Sequence, residues 1–254
     1  LGIPIVAALV ALVALSVFVL LNRNRSTPVT VADAVSRYRS ATTLAGQAAD
    51  VATDPHSGVY RYATKGQESI NALGGSKHAY PTETTVTLTA AECGWSARWD
   101  AVVERWRDDH LCRRADGIYE SRFVEYHEFF NHKNVRTLEC DGEPLVMPAE
   151  ATPVRTWQFT CTDGSVHIAI VGTTVGVENL NVGGTSTPVI HVHFESTTTG
   201  DASGHGAEDV WFEPTRGLYV RRICDASSDS MSVIGTTNYI EHFELDLMSL
   251  EPTQ

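Results

Sequence analysis

Hydrophobic and polar positions divide the chain into three regimes. From Ile3 to Leu21, in IPIVAALVALVALSVFVLL, only Ser16 is polar and no residue is charged. At ~1.5 Å per residue a helix of this stretch is about 28 Å long, close to the thickness of a bilayer's hydrocarbon core. A helix apolar all round has no water-facing side, so the pattern predicts a retained transmembrane anchor over residues 1–22, spanning Ile3 to Leu21. A cleavable signal peptide has a shorter apolar region and a small-x-small site, which the residues before Asn22 lack. Residues 23–29, broken at Thr27-Pro28, read as a short linker.

The second regime has a helical period. Thr30-Val-Ala-Asp33 has the form of a capping box with Asp33 in place of Glu. Val31, Ala34, Val35, Tyr38, Ala41, Ala45 and Ala48 then share one face. This predicts a helix over about residues 30–52, ended by Asp54-Pro55 because the residue before proline resists helical geometry. Val35 and Tyr38 on that face imply packing on a domain, not a solvated stalk.

From Gly58 the period becomes two. GVYRYAT, TTVTLTA, SVHIAIV, PVIHVHFES, DVWFEP, GLYVRRI and YIEHFELDL are strand-like runs between Gly, Asp, Ser and Pro. Val86 and Leu88 alternate with Thr85, Thr87 and Thr89. Ile190, Val192 and Phe194 alternate with His191, His193 and Glu195, and Tyr239, Phe243, Leu245 and Leu247 share a face. One apolar and one polar face predict a mainly antiparallel sheet. GIYESRFVEYHEFF fits a helix as well as a strand, and GDASGHGAED reads as a flexible tip. Asp163-Gly164 and Thr215-Arg216-Gly217 are hairpin turns. The expected fold class is α+β: a transmembrane helix, then over residues 30–254 an antiparallel sheet with flanking helices.

Charge and cysteines narrow the setting. The formal net charge of −12 falls wholly after residue 22, which argues against nucleic acid and against anionic lipid surfaces as partners. Arg23 and Arg25 after the span favour a cytoplasmic domain. Five widely spaced cysteines without a C-x-x-C favour an oxidising compartment, and carry more weight here. The expected location is the inner (plasma) membrane, single-pass, with the domain extracytoplasmic. Cys93 and Cys112 face each other if the chain folds back near Asp100–Glu104; in one continuous strand, at ~3.3 Å per residue, they lie about 60 Å apart. Cys140 and Cys161 bracket a segment with three prolines, where a bridge restrains the unfolded chain by roughly 3 kcal/mol. Cys224 is left over.

Candidate chemistry is sparse. There is no G-x-S-x-G, no catalytic Cys–His signature, no H-E-x-x-H and no phosphate-cradling glycine loop. His191-Val-His193, with Glu195 beyond, places two imidazoles on one strand face at a spacing usable by a metal. It reads more simply as the wet face opposite Ile190, Val192 and Phe194, and neither metal nor cofactor is expected. Asp108-Asp109-His110, and Asp225 with Asp229, read as solvated turn charges. Trp95, Trp99, Trp106, Trp157 and Trp211 lie on or beside strands and imply either a packed core or an apolar cradle.

Two stretches carry a resemblance. EDVWFEPTRGLYVRR resembles the strand–turn–strand of periplasmic lipoprotein-carrier-like domains. The apolar N-terminus, TPVTVADAVSRYR, CGW…C, HEFFNHKNVRTLEC and the W-x-F-x-C strand together resemble the trehalose monomycolate transport factor A family of mycobacterial envelope proteins. That resemblance implies a single-pass protein with a PsbP-like or lipoprotein-carrier-like cradle, acting beside an RND-family membrane transporter of mycolic lipids. The expected function is thus a non-catalytic accessory factor for trehalose monomycolate transport, with no contact surface assigned. The alternative is a carrier cradle that holds the lipid itself. A docking module predicts a filled core, a carrier a continuous apolar cavity of several hundred Å³, and a hydrolase a nucleophile beside its base.

Overall fold

The computed structural model describes residues 24–45, 54–142, 144–232 and 235–253. Helix α1 (Val31–Ala45) is followed by β1 (Gly58–Ile70), β2 (Ser76–Ala79), β3 (Glu83–Ala91), β4 (Gly94–Val102), β5 (Arg105–Arg114), β6 (Gly117–Phe129) and β7 (His132–Cys140). Then come β8 (Leu145–Pro148), β9 (Thr156–Thr162), β10 (Val166–Val182), β11 (Thr185–Gly200), β12 (Ala202–Glu213), β13 (Leu218–Ser232) and β14 (Gly235–Leu247). Antiparallel pairing runs β1-β3-β4-β5-β6-β7-β9-β10-β11-β12-β13-β14, and β14 returns to β1 from Tyr62↔Leu247 to Ile70↔Tyr239. The result is a closed 12-strand barrel. Outside the ring, β2 pairs with β1 and β8 with β6.

This corrects the α+β expectation. A cradle and a barrel share the same inward alternation; they differ in whether the first and last strands meet. That meeting joins residues as far apart as Tyr62 and Leu247, and no local pattern reports it. Flanking helices are also fewer than expected: α1 is the one α-helix among the described residues. GIYESRFVEYHEFF is strand β6, and GDASGHGAED is largely strand β12 in the barrel wall, not a flexible tip. Its glycines and small residues fit there because β11 and β13 flank them on both sides.

Helix α1 starts as its capping box prescribes. Asp33 N–H donates to Thr30 Oγ1 at 3.1 Å, and Thr30 N–H donates back to Asp33 Oδ2 at 3.2 Å. Its Ala34 and Val35, flanked by Val31 and Tyr38, cover Val59 on the outer side of β1. Arg37 ties it to Asp100 at 2.7 Å. The segment ahead of it is pinned: Thr27 N–H and Oγ1 donate to Glu104 at 2.8 and 2.7 Å. The remainder of the expected 30–52 helix, and the expected anchor Ile3–Leu21, lie outside the described residues.

Among the described residues no helix is long and apolar enough to cross a membrane. α1 has 15 residues and carries Asp33, Arg37 and Arg39. On that finding the expectation of a single-pass inner-membrane protein embedded through one helix is corrected: no described helix provides that span, and nothing in the structure supports the expected RND-family partner. The outer barrel face is wet: Arg61 pairs with Glu83, Lys65 with Glu244 and His242 with Asp225.

One place in the ring is thinly joined. β7 and β9 pair only at Glu139↔Thr162 and Cys140↔Cys161, whereas β10 and β11 pair along nearly their whole length. The Cys140–Cys161 disulfide lies at that seam.

Candidate functional site in the barrel interior

Inward-facing residues change character along the barrel axis. One end is plugged. Tyr60, Tyr62, Trp95, Trp99, Phe212, Leu218, Leu245 and Leu247 belong to one buried cluster there. Tyr62 donates its hydroxyl across to the Tyr219 carbonyl at 2.6 Å, and Trp99 Nε1 donates to Thr84 Oγ1 at 3.0 Å. The polar groups of Tyr62 and Trp99 are thus satisfied within the plug, whereas the Nε1 groups of Trp157 and Trp211, packed against it, are buried without a hydrogen-bond partner.

Next along the same strands comes a layer of charge. Arg105 Nε and Nη2 donate to the two Glu241 oxygens, both at 2.9 Å, and Tyr80 donates to Glu241 at 2.5 Å. Glu68, wholly buried, is held by His78 Nδ1 at 2.6 Å, His127 Nδ1 at 2.7 Å and the Tyr239 hydroxyl at 3.1 Å. Arg107 joins Asp109 at 2.5 Å and Glu125 at 3.3 Å. Arg222 reaches Glu208 at 2.6 Å and Asp109 at 3.4 Å.

This mutual pairing is what makes so many charges tolerable inside a protein. Burial pushes the Glu68 carboxyl up, but His127, His78 and Arg105 outweigh it and hold it at about 2. Burial likewise opposes Asp109 and Glu241, and their arginines override it, so both fall below the ordinary carboxylate value. Glu120 goes the other way. Burial, reinforced by the Asp109 carboxylate, pushes it well above the usual range, toward its neutral form.

Beyond the charge layer the barrel holds a cavity of 370 Å³. One wall is apolar, formed by Phe123, Leu138, Phe159, Ile168, Ile170 and Phe194 from β6, β7, β9, β10 and β11. The facing wall is small and hydroxylic: Ala226, Ser228 and Ser230 from β13 with Thr237 from β14. Glu120, Glu125, Glu208, Glu241 and the three arginines line the floor. Gly172 is required at this boundary, because a Cβ there meets the Trp157 ring at 2.5 Å and Phe194 at 2.8 Å.

The residues singled out from the sequence fall in four places. Cys93–Cys112 and Cys140–Cys161 are disulfide-bonded, and Cys224 is free. Burial pushes the Cys224 thiol up, so it is a packed wall residue and not a reactive thiolate. Of the tryptophans, Trp95 and Trp99 fill the plug and Trp157 packs against it from inside the wall. Trp106 and Trp211 are stacked on Tyr126 and His191.

His191 and His193 both contact Asp209 Oδ1, at 2.7 and 3.0 Å, and no group among the described residues has the geometry of a metal site. Asp108-Asp109-His110 is not a turn: it lies within β5, with Asp109 buried in the charge layer and Asp108 bonded to Ser96. Sequence reasoning missed the charge layer because β5 reads Arg-Trp-Arg-Asp-Asp-His, polar on both faces. The available signal was Trp106 at the alternate position, opposite in phase to Leu111.

No family profile matches the chain, and no curated protein sequence does. Among solved structures, the hypothetical lipoprotein YmcC from Escherichia coli is similar at 15% identity, over 85% of this chain and 97% of that chain, with a TM-score of 0.36. Nothing in these comparisons concerns the mycobacterial transport-factor family.

Proposed function

We propose that the barrel is a non-catalytic binding cup for one amphiphilic small molecule, and so a lipid carrier. The observation that supports this reading is the 370 Å³ cavity within the barrel, apolar on one side and polar at its floor. That volume lies in the range of small-molecule sites, which are mostly apolar with a few placed polar groups. A module working only by surface contact has no need to leave its core unfilled. The ionisable groups of the floor are bound to one another, which suits fixing a ligand's orientation better than proton transfer. Of the three histidines that line the cavity, His127, His132 and His205, the one at the floor, His127, has its Nδ1 engaged by Glu68 at 2.7 Å.

The reading is tested with the neutral fluorophore N-phenyl-1-naphthylamine and with native mass spectrometry of the purified protein. The fluorophore is expected to saturate at one per chain, and an amphiphile released on denaturation should compete for the same site. Ser228→Trp, which fills the cavity from the small wall, should remove binding without altering the far-UV spectrum. Wild-type protein that neither retains an amphiphile nor takes up the fluorophore overturns the proposal.

A further inference from the structure

Taking the cup reading as its basis, we infer that the ligand's polar end is a hydrogen-bond donor without negative charge, an ammonium or a hydroxyl group, and not a carboxylate or phosphate. Four arginines line the cavity, three of them at its floor, and each is already paired; Arg136, on β7, is held by Asp163 at 3.5 Å. Arg105 uses Nε and Nη2 on Glu241 at 2.9 Å and Nη1 on the Trp106 carbonyl at 2.8 Å. Arg107 is held by Asp109 at 2.5 Å and Glu125 at 3.3 Å. Arg222 is held by Glu208 at 2.6 Å and Asp109 at 3.4 Å. An incoming anion therefore has to share a cation that a buried carboxylate already needs, and stripping that carboxylate of its partner is costly.

The count of charges points the same way. Setting aside Glu120, whose carboxyl is pushed toward its neutral form, Glu68, Asp109, Glu125, Glu208 and Glu241 are five acids to three arginines in this layer. The exposed acids of the floor, Glu125 and Glu208, keep 21% and 20% of their side-chain surface, against 2% and 6% for Arg105 and Arg222; Arg107 keeps 20% but is already turned onto Asp109 and Glu125. A carboxylate only accepts hydrogen bonds, so these two oxygens pairs select a donor. An ammonium adds charge attraction in a poorly screened site; an alcohol adds the hydrogen bond alone.

Three ligands with one chain and different heads test this on the wild-type protein: dodecylamine, 1-dodecanol and dodecanoate, each displacing N-phenyl-1-naphthylamine at pH 7. Dodecylamine, cationic at that pH, is expected to compete at least about tenfold better than dodecanoate, a difference of ~1.4 kcal/mol, with dodecanol between them. The double variant Glu125→Gln, Glu208→Gln should bring amine and carboxylate to within about threefold, or ~0.7 kcal/mol, of each other. Dodecanoate binding as well as or better than dodecylamine overturns the inference while leaving the cup reading intact. An unchanged amine preference in the folded double variant overturns the assignment of the head to Glu125 and Glu208. Failure of all three ligands to displace the bound fluorophore removes the cup reading itself, and this inference with it.

Discussion

At the plugged end the barrel axis is filled by Tyr62, Trp99, Phe212 and Leu245, while further along the same strands it is held by Glu68, Arg105, Glu208 and Glu241. The two regions share backbone, register and degree of burial. They differ in what burial demands. Apolar side chains need only shape and volume, so the plug is stabilised by area removed from water, at ~25 cal/mol per Å². Charges need specific partners, and removing one strands the others. A barrel that needed only stability would continue the plug to both ends. The charge layer is therefore better understood as a floor, placed where the wall stops being packed and the cavity begins.

Four changes bear on this contrast, taken from the largest expected effect down. Arg105→Met leaves Glu241 and Glu68 without their cation and should destabilise by ~3–5 kcal/mol in urea titration, as for a broken buried pair. Adding Glu241→Met should recover part of that loss; a double variant no better than the single one would show that the layer acts as one network. In the plug, Leu245→Ala should cost about 3 kcal/mol by cavity formation, with no dependence on pH between 4 and 8. Glu120→Gln should raise stability at neutral pH by roughly 1 kcal/mol. The sign follows from its raised folded pKa: its favourable contribution is complete below the ordinary value of 4.5 and is lost as pH climbs through the folded value. The gain should therefore vanish near pH 4. Glu68 has the opposite sign, its contribution being present above 4.5 and lost as pH falls toward about 2, which assigns it to acid unfolding. Smallest is Ile168→Ala on the half-buried cavity wall, costing about 1 kcal/mol or less while weakening fluorophore affinity several-fold.

Strands were legible wherever one face is apolar and the other wet. Ile190, Val192 and Phe194 against His191, His193 and Glu195 gave β11 its correct phase, and Tyr239, Phe243, Leu245 and Leu247 do point inward from β14. The hairpin between Cys93 and Cys112 was legible from spacing, and β4 and β5 fold back at Val102↔Arg105. Closure was not, because pairing of β1 with β14 is a property of the whole chain. The floor was not legible either. Alternation distinguishes apolar from polar, whereas β5 places Arg105, Arg107 and Asp109 inward and Trp106 in a stack with Tyr126. A charged layer built by reversing the usual inside-out rule looks, in sequence, like a solvated loop.

The thin join between β7 and β9 has a kinetic meaning. With only Glu139↔Thr162 and Cys140↔Cys161 in register, the ring has one line along which few backbone hydrogen bonds separate closed from open. Local opening draws on the least protected part of a structure, and this line borders the cavity through Leu138 and Phe159. The covalent Cys140–Cys161 link sets how far the line parts, as a hinge pin limits a door. Amide exchange along Thr156–Thr160 should accordingly outpace that of Val210–Phe212 at the plugged end.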